Sequence, residues 1–315
     1  MENVSYDELF EILFDNDFVD RYETDKERAV DVIIPLLNSN QYFEKSLLNF
    51  YKRIPIKRLL IGDGGSTDNS LEILKKFPRV VVFDQHDFKS QGFSIKKLIE
   101  ASETEYMIYL HSDVFLPESW FDAMWGHREE KSWFECARKK ISLVLWDDIK
   151  QTERERAYSG SQFGNTKRMQ EAIAVVEDDY LQRNEDIIIA ELVGMDNYMK
   201  FLDTFHYHQM QAKKGEKEPD LQIIPQVKRV RDVKWERRIY DMQWKGIVKY
   251  CNPGKDYLLK IVLGAIEALR KIDAFNDEEA KSWVKETNVE WIEYIWAKMT
   301  LRSSLKKILG KYRRK

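Results

Sequence analysis

Cysteine and long apolar runs are both scarce in this 315-residue sequence. The two cysteines, Cys136 and Cys251, are too few and too far apart for a zinc cluster or a disulfide framework, and we interpret both as buried or incidental thiols. The longest apolar runs, such as 261–265, fall far short of the ~20 residues that cross a bilayer. Met1 is followed by an acidic stretch, so we expect no secretory signal and a cytoplasmic protein.

Net charge is also small, because 51 basic residues nearly balance 54 acidic ones. This balance argues against a globally basic nucleic-acid binder, so we expect no nucleic-acid partner. The charge is nevertheless uneven, since residues 1–30 are strongly acidic and residues 296–315 contain bases and no acid. We predict three segments: an acidic helical lead-in over 1–30, a catalytic domain over 31–215, and a helical extension over 216–315 with a basic amphipathic tail.

Strand-like and helix-like patterns alternate through the first half of the chain. The predicted strands are 32–34, stopped by Pro35, then 58–61, 80–83, 106–110, 141–145 and 199–207. The predicted helices include 42–51, 71–76, 94–101, 166–174, 187–193, 257–272 and 289–309. Alternation at this spacing indicates an α/β fold with a mostly parallel central sheet and helices on both faces. The ligand site of such a sheet lies beyond the carboxyl ends of its strands.

Two strand ends carry residues suited to a nucleotide and a cation. The second strand leads into 62–70, where glycines permit a tight turn and Asp63 can accept a hydrogen bond from a base or ribose. Ser66 or Asp68 could equally cap the next helix. The fourth strand ends in His111, Ser112 and Asp113, and Mg²⁺ or Mn²⁺ prefers the carboxylate. A structural turn is the alternative there.

Four segments occur in the order and spacing of a known family. They are Asp31-Val32-Ile33-Ile34-Pro35, Asp63-Gly64-Gly65-Ser66-Thr67-Asp68, His111-Ser112-Asp113, and Asn184-Glu185-Asp186 with Gly194 eight residues on. Each is weak alone, but together they make residues 30–210 resemble the family 2 glycosyltransferases of GT-A fold. The resemblance implies transfer of a sugar from a nucleoside diphosphate-sugar to an acceptor hydroxyl, usually with inversion and with Mg²⁺ or Mn²⁺.

The resemblance also implies a role for each matching residue. For the nucleotide-sugar, these residues are Pro35, Leu36, Asp63, Gly65, His111 and Ser112. Asp113 would bind the metal, and Asp186, paired with Glu185, would be the catalytic base. His111 replaces the usual first aspartate of the metal motif, which leaves open how the ribose is held.

Histidines and carboxylates near these motifs leave alternatives open. Of His206 and His208 we expect only one to face the cleft as a second metal ligand, and we favour His206. Glu185 and Asp186 could instead only cap a helix, since acids are favoured at helix starts.

The carboxyl-terminal segment has an apolar stripe from Trp291 to Leu309 beside its basic residues. Such a helix can lie on an anionic membrane surface, which would suit a lipid-linked acceptor as well as a glycan. Packing on the catalytic domain or on the acidic lead-in is the alternative. Two other functions also remain: a nucleotidyltransferase that makes a nucleotide-sugar, and a non-catalytic sugar- or partner-binding protein of the same fold.

Overall fold

The computed structural model describes residues 6–39, 42–87, 90–141, 160–177, 180–181, 185–209, 233–251 and 255–270, with positions 276, 278–279 and 282. The strands are β1 (Val30–Leu36), β2 (Ile56–Asp63), β3 (Val80–Asp84), β4 (Tyr106–Leu110), β5 (Val114–Phe115), β6 (Trp133–Ile141), β7 (Ser161–Asn165) and β8 (Tyr198–Gln209). The α-helices are α1 (Tyr6–Phe14), α2 (Phe43–Arg53), α3 (Ser70–Leu74), α4 (Gln91–Ala101), α5 (Trp120–Gly126), α6 (Thr166–Ala174), α7 (Glu185–Val193), α8 (Val233–Tyr250) and α9 (Lys255–Arg270). The predicted elements at 142–145 and 289–309 lie outside the described residues.

The strands form one sheet in the order β3-β2-β1-β4-β7-β6-β8-β5. Strands β3, β2, β1 and β4 are parallel to one another, and β6 is parallel to β8. Strand β7 runs antiparallel to β4 and β6, and β5 runs antiparallel to β8. The predicted α/β fold with a mostly parallel sheet is therefore confirmed.

Side chains of β1 alternate between two packed faces of the sheet. Val30, Val32 and Ile34 belong to a buried core with α2, α3 and α5. Ile33, fully buried, points to the opposite face, where α4 packs against β1 and β2 and α6 packs against α4. A strand buried on both faces reads as a continuous apolar run, which is why this one was visible in the sequence.

The prediction that Pro35 stops the first strand is wrong. Strand β1 continues to Leu36, with Pro35 opposite Gly62 of β2. Proline lacks the amide hydrogen of a sheet ladder and is tolerated where no neighbour needs that donor. On its other side β1 pairs with β4 only from Asp31 to Ile33, so Pro35 lies beyond the end of that pairing.

The sheet curls between β4 and β5, and this curl creates the site. Only residues 111–113 join Leu110 of β4 to Val114 of β5. The four residue steps from Leu110 to Val114 span at most about 14 Å. In a flat sheet, β4 and β5 would be four strand spacings apart, or about 19 Å. Since three strands stand between β4 and β5, they must bend round to bring the end of β8 back toward the end of β4.

Asp31, at the amino end of β1, joins the sheet to the turn before β4. Its carboxylate is fully buried and accepts hydrogen bonds from Arg58 Nε at 3.0 Å and from the Glu103 backbone N–H at 2.7 Å. The Asp31 carboxylate raises the pKa of the Arg58 guanidinium, mainly through this hydrogen bond. Although Asp31 belongs to the family-like segment, it lies at the end of β1 opposite the predicted site and has a structural role.

Replacement of Asp31 by alanine is expected to lower the free energy of unfolding by about 3–5 kcal/mol, because it leaves a half-buried guanidinium without its main partner. Urea unfolding followed by circular dichroism measures this change. Glu103→Ala is the matched control, since Glu103 pairs with the same Arg58 but is 73% exposed, and its loss should cost less than about 1 kcal/mol. Equal destabilisation by the two substitutions would contradict the assignment.

The acidic lead-in packs on the sheet domain through helix α1. Leu9 and Ile12 are buried against Phe115 and Tyr207. The Tyr207 hydroxyl donates to Glu8 Oε2 at 2.9 Å, and burial beside this carboxylate raises the pKa of Tyr207. Helix α1 therefore supports the β5–β8 pair from its outer side. Residues 296–315, the proposed partner of this acidic segment, lie outside the described residues.

The chain divides into two units, residues 1–230 and 231–315. The predicted domain boundary at 215/216 lies outside the described residues. In the second unit, Trp244, Ile247, Val262 and Ile266 are buried on helices α8 and α9. None of the described helices combines the length and apolarity needed to span a membrane.

Candidate active site

The loops that follow β1 and β2 are joined by hydrogen bonds at the carboxyl edge of the sheet. Leu36 and Asp63 are opposite each other, and the Gly64 amide donates to the Leu36 carbonyl at 2.7 Å. The Asn38 amide donates to Ser66 Oγ at 2.9 Å, and Asn38 has a φ of 48° that few side chains other than asparagine tolerate. These bonds hold the predicted nucleotide residues Pro35, Leu36 and Asp63 in one place.

The turn after β2 is built around Asp63 and Gly65. The buried Asp63 carboxylate accepts from the Ser66 amide at 2.9 Å. Gly65 has a φ of 91°, and a Cβ there would lie 3.1 Å from the Cβ of His86, so both the backbone and the space favour glycine. The N-cap residue of α3 is Asn69, not Ser66 or Asp68, although Asp68 Oδ1 accepts a hydrogen bond from the amide of Ser70, the first helical residue, at 2.9 Å.

The end of β4 and the end of β8 bring together a second group of residues. The His111 amide donates to the Gly160 carbonyl at 2.9 Å, and Val114 is opposite His208 in the β5–β8 ladder. Asp113 Oδ1 lies 3.9 Å from His111 Nδ1, and Asp113 Oδ2 lies 3.5 Å from His208 Nε2. We call His111, Asp113 and His208 the histidine–aspartate cluster.

This cluster fits a divalent cation. One potential ligand atom from each residue lies within 4.8 Å of the others, and each side chain is half-buried. Two ligands that bind one ion at about 2.1 Å each are at most about 4.2 Å apart. The distances from Asp113 Oδ1 to His111 and from Asp113 Oδ2 to His208 are below this limit, and the spread of up to 4.8 Å among the three ligand atoms requires a small shift of the side chains on binding. Ser112 lies between two cluster residues, but its predicted nucleotide contact stays a prediction.

His206 and His208 lie on the same side of β8, with ring centroids 5.7 Å apart. Residues two apart on a strand share a face, yet only His208 belongs to the group of possible metal ligands, and the favoured His206 does not. His206 is fully buried, and its Nδ1 lies 2.9 Å from Ser161 Oγ and 3.4 Å from Cys136 Sγ. Of the two alternatives for a metal ligand, His208 is the one beside Asp113.

Cys136 contacts this buried histidine but is suited to packing rather than chemistry. Burial raises the pKa of its thiol to about 11, so the thiol is protonated at neutral pH. Its interpretation as a buried thiol is confirmed.

Glu185 and Asp186 are the first two residues of helix α7, which begins two residues before the predicted helix 187–193 and ends with it at Val193. The Glu185 side chain is buried, and burial raises the pKa of its carboxyl, with a further contribution from the negative charge of Glu135. Glu135 itself accepts hydrogen bonds from Gln162 Nε2 at 2.5 Å and from the Tyr198 hydroxyl at 2.7 Å. The Glu185 carboxyl therefore loses its proton less readily than an exposed glutamate does. The predicted role of Asp186 as catalytic base stays a prediction.

The raised pKa of Glu185 predicts a pH effect on stability. Folding raises this pKa above the ordinary 4.5, so the folded state holds its proton longer than the unfolded chain does. This group therefore makes the free energy of unfolding fall as the pH rises from 4.5 through the raised value. In Glu185→Gln this fall should be absent. Urea unfolding at several pH values measures the slope, with Glu191→Gln as the control in the same helix. Parallel curves for wild type and Glu185→Gln would contradict the assignment.

Two residues of this region were missed in the sequence. Tyr109 contacts the cluster because its hydroxyl lies 2.8 Å from His111 Nε2, and its position two residues before His111 on a strand was the available signal. Gly160 has a φ of 141°, and a Cβ there would lie 3.3 Å from His208 Nδ1. No local pattern distinguishes Gly160 from an ordinary loop glycine.

Comparisons with known proteins agree with this geometry. The family profile described as "Glycosyl transferase family 2" matches residues 31–180. No curated protein is a significant match to the sequence.

Three solved structures are similar to the chain. S. aureus TarS 1–349 has a TM-score of 0.52 at 14% identity, over 81% of this chain and 77% of TarS 1–349. The same protein in complex with UDP-GlcNAc has a TM-score of 0.50 at 14% identity, over 90% and 91% of the two chains. The mannosyltransferase PcManGT from Pyrobaculum calidifontis, in complex with GDP-Man and Mn²⁺, has a TM-score of 0.49 at 13% identity, over 88% and 80%.

At these identities, the likeness to TarS establishes the GT-A fold alone, and the family profile identifies the domain. The order of the sequence motifs, the topology of the sheet and the residues matched by the profile all agree with this assignment. The chain thus contains a family 2 glycosyltransferase domain at residues 31–180.

Proposed function

We propose that the chain transfers a sugar from a nucleoside diphosphate-sugar to an acceptor hydroxyl, with inversion at the anomeric carbon. The observation that carries this proposal is the histidine–aspartate cluster at the same edge of the sheet as the joined loops of β1 and β2. In open α/β sheets, ligands bind in the crevice outside the carboxyl ends of the strands. The UDP-GlcNAc complex of TarS supports a donor of this class.

In this proposal the nucleoside lies against the loops after β1 and β2. Asp63 contacts the nucleobase, while Pro35, Leu36 and Gly65 border it. Gly65 brings the backbone close to the nucleotide because no side chain intervenes. Rigid, hydrogen-bonded loops limit the conformational entropy lost on binding.

The diphosphate lies toward the cluster, where Asp113 would hold Mg²⁺ or Mn²⁺ with help from the histidines. A divalent cation supplies Lewis-acid stabilisation of the charge that develops on a departing diphosphate. The cluster's half-buried position limits water near this charge, which strengthens the electrostatic interaction.

Asp186 acts as general base at the start of α7. Its carboxylate takes the proton of the acceptor hydroxyl while the acceptor oxygen bonds to the anomeric carbon. The bond from that carbon to the diphosphate oxygen breaks on the opposite side, and the nucleoside diphosphate leaves with the bonding electrons. One such displacement inverts the anomeric carbon. Burial, with a further contribution from the negative charge of Glu135, raises the pKa of neighbouring Glu185, and for this reason we assign the base to Asp186.

The acceptor is a glycan or a lipid-linked molecule, reached with the help of the basic tail. The support for membrane contact is the apolar stripe and the basic residues of 291–315. Cosedimentation with anionic liposomes tests this contact, and binding that survives deletion of 296–315 contradicts it.

Donor binding and product formation test the proposed function directly. A nucleoside diphosphate-sugar that binds only the folded protein should stabilise it, by about 2.7 kcal/mol at a hundred times its Kd. Thermal unfolding with UDP- and GDP-sugars, each with and without Mn²⁺, measures this stabilisation. Failure of every nucleoside diphosphate-sugar to bind would favour the non-catalytic alternative. Release of pyrophosphate from a nucleoside triphosphate and a sugar 1-phosphate would instead identify a nucleotidyltransferase.

A further inference from the structure

His111 is held by hydrogen bonds on both its backbone and its ring. Its amide donates to Gly160, and its Nε2 lies 2.8 Å from the Tyr109 hydroxyl. That hydroxyl also accepts from Gln91 Nε2 at 3.3 Å, and the Tyr109 side chain is buried. A histidine that binds a metal through one ring nitrogen usually donates its other N–H to a fixed acceptor, which sets its tautomer. Tyr109 supplies that acceptor.

The other ring nitrogen of His111 is directed toward the cluster. When Nε2–H donates to Tyr109, the lone pair is on Nδ1, the atom 3.9 Å from Asp113 Oδ1. The His111 and His208 rings meet edge to face with centroids 5.8 Å apart, so both imidazoles approach the same carboxylate. This arrangement makes His111 a candidate for direct coordination.

Gly160 provides the space that this arrangement needs. A Cβ on Gly160 would lie 2.8 Å from His206 Nε2 and 3.3 Å from His208 Nδ1. A side chain there would therefore displace the histidine rings. Because Gly160 has no side chain, His206 and His208 can pack close to its backbone. The Gly160 carbonyl accepts the hydrogen bond from the His111 amide.

We propose that His111 Nδ1 binds the cation directly, together with Asp113 and His208, so that the site prefers Co²⁺ and Mn²⁺ to Mg²⁺. The proposal rests on the proposed function for the place of the cation and adds its chemical preference. Mg²⁺ prefers oxygen ligands, whereas imidazole suits transition metals, and affinity at nitrogen-containing sites increases from Mn²⁺ to Co²⁺. The histidine in place of an aspartate would thus narrow the range of usable metals.

Metal titration of the full chain without any nucleotide tests this proposal. Isothermal calorimetry with CoCl₂, MnCl₂ and MgCl₂ should show an affinity for Co²⁺ at least about a hundredfold higher than the affinity for Mg²⁺. In His111→Asp that ratio should fall at least about tenfold, because one imidazole becomes a carboxylate. Tyr109→Phe should weaken Co²⁺ binding by about 10–100-fold, as expected for loss of an outer-shell partner. His127→Asp, at a partly buried histidine after α5 that pairs with Glu130, is the matched control and should leave the ratio unchanged.

Spectroscopy of the wild-type protein provides a measurement that does not depend on a variant folding. Pulsed electron paramagnetic resonance of bound Mn²⁺ should show nitrogen couplings from two imidazoles, and from one in His111→Asp. A single imidazole in the wild type, no binding of Co²⁺ or Mn²⁺, or an unchanged Co²⁺ to Mg²⁺ ratio in a folded His111→Asp would overturn the proposal. Two imidazoles on the metal without any sugar transfer would instead contradict only the proposed function.

Discussion

Replacing Asp113 with alanine is expected to lower kcat/KM for sugar transfer by about a thousandfold, while the protein remains folded. A bound cation stabilises a leaving diphosphate by several kcal/mol, and about 1.4 kcal/mol corresponds to a factor of ten in rate. Asp113 is the only carboxylate in the histidine–aspartate cluster. Without Asp113, the cluster would offer the cation only two neutral imidazoles, and its affinity for the cation would fall. Transfer assays with a saturating divalent metal, together with circular dichroism, measure both parts of the prediction.

Asp196→Ala is the matched control for this substitution. Asp196 is an exposed aspartate in the short turn after α7, where only its backbone carbonyl accepts a hydrogen bond from Lys131. The control should keep wild-type kcat/KM and wild-type metal affinity. Full turnover by a folded Asp113→Ala protein would remove Asp113 from the mechanism.

Asp186→Asn is expected to reduce kcat by about 10²–10⁴-fold, the usual contribution of a positioned general base. Asparagine keeps the size of the side chain but has no carboxylate to accept the acceptor's proton. The base acts on the acceptor, so the affinities for the donor and for the metal should stay within about twofold of wild type. This change in binding free energy is well below the ~1.4 kcal/mol that corresponds to a tenfold change in affinity. Steady-state kinetics combined with calorimetric titration of the nucleoside diphosphate-sugar separate these two effects.

The same exposed position supplies a control for the base. Asp196→Asn makes the same chemical change ten residues further along the chain and should leave kcat unchanged. Equal loss of donor affinity and kcat in Asp186→Asn would indicate a binding role. Retention of full kcat would instead exclude Asp186 as the catalytic base.

The parallel part of the fold was predictable because its signals are local. Predicted strand 106–110 and predicted helix 166–174 match β4 and α6 at both ends. Asn276 and Glu279, three residues apart as in a capping box, are joined by reciprocal hydrogen bonds of 2.9 and 3.0 Å. Strand β7 was missed, since the sequence Ser-Gln-Phe-Gly-Asn has turn-like composition and is placed in the sheet by its two neighbours.

The site was only partly predictable for a related reason. Asp63 and Asp113 each follow an apolar strand, so their position at the sheet edge could be inferred from local sequence. His208 joins Asp113 only through the curl of the sheet, which depends on pairings between distant segments. The edge-to-face contacts of His111 with Tyr109 and His208 likewise depend on tertiary packing, which no residue spacing reveals.

The pairing of β5 with β8 also has a consequence for folding. Val114 and His208 are about ninety residues apart, and closing so long a loop is entropically costly and slow. Strands β1, β2 and β3 pair with partners only about 20 to 30 residues away and can form the nucleotide edge earlier. An ion held by both Asp113 and His208 would bind the complete fold and not this partial one. Such an ion would therefore slow unfolding, because it would link the segments near β5 and β8, whose contact forms late in folding.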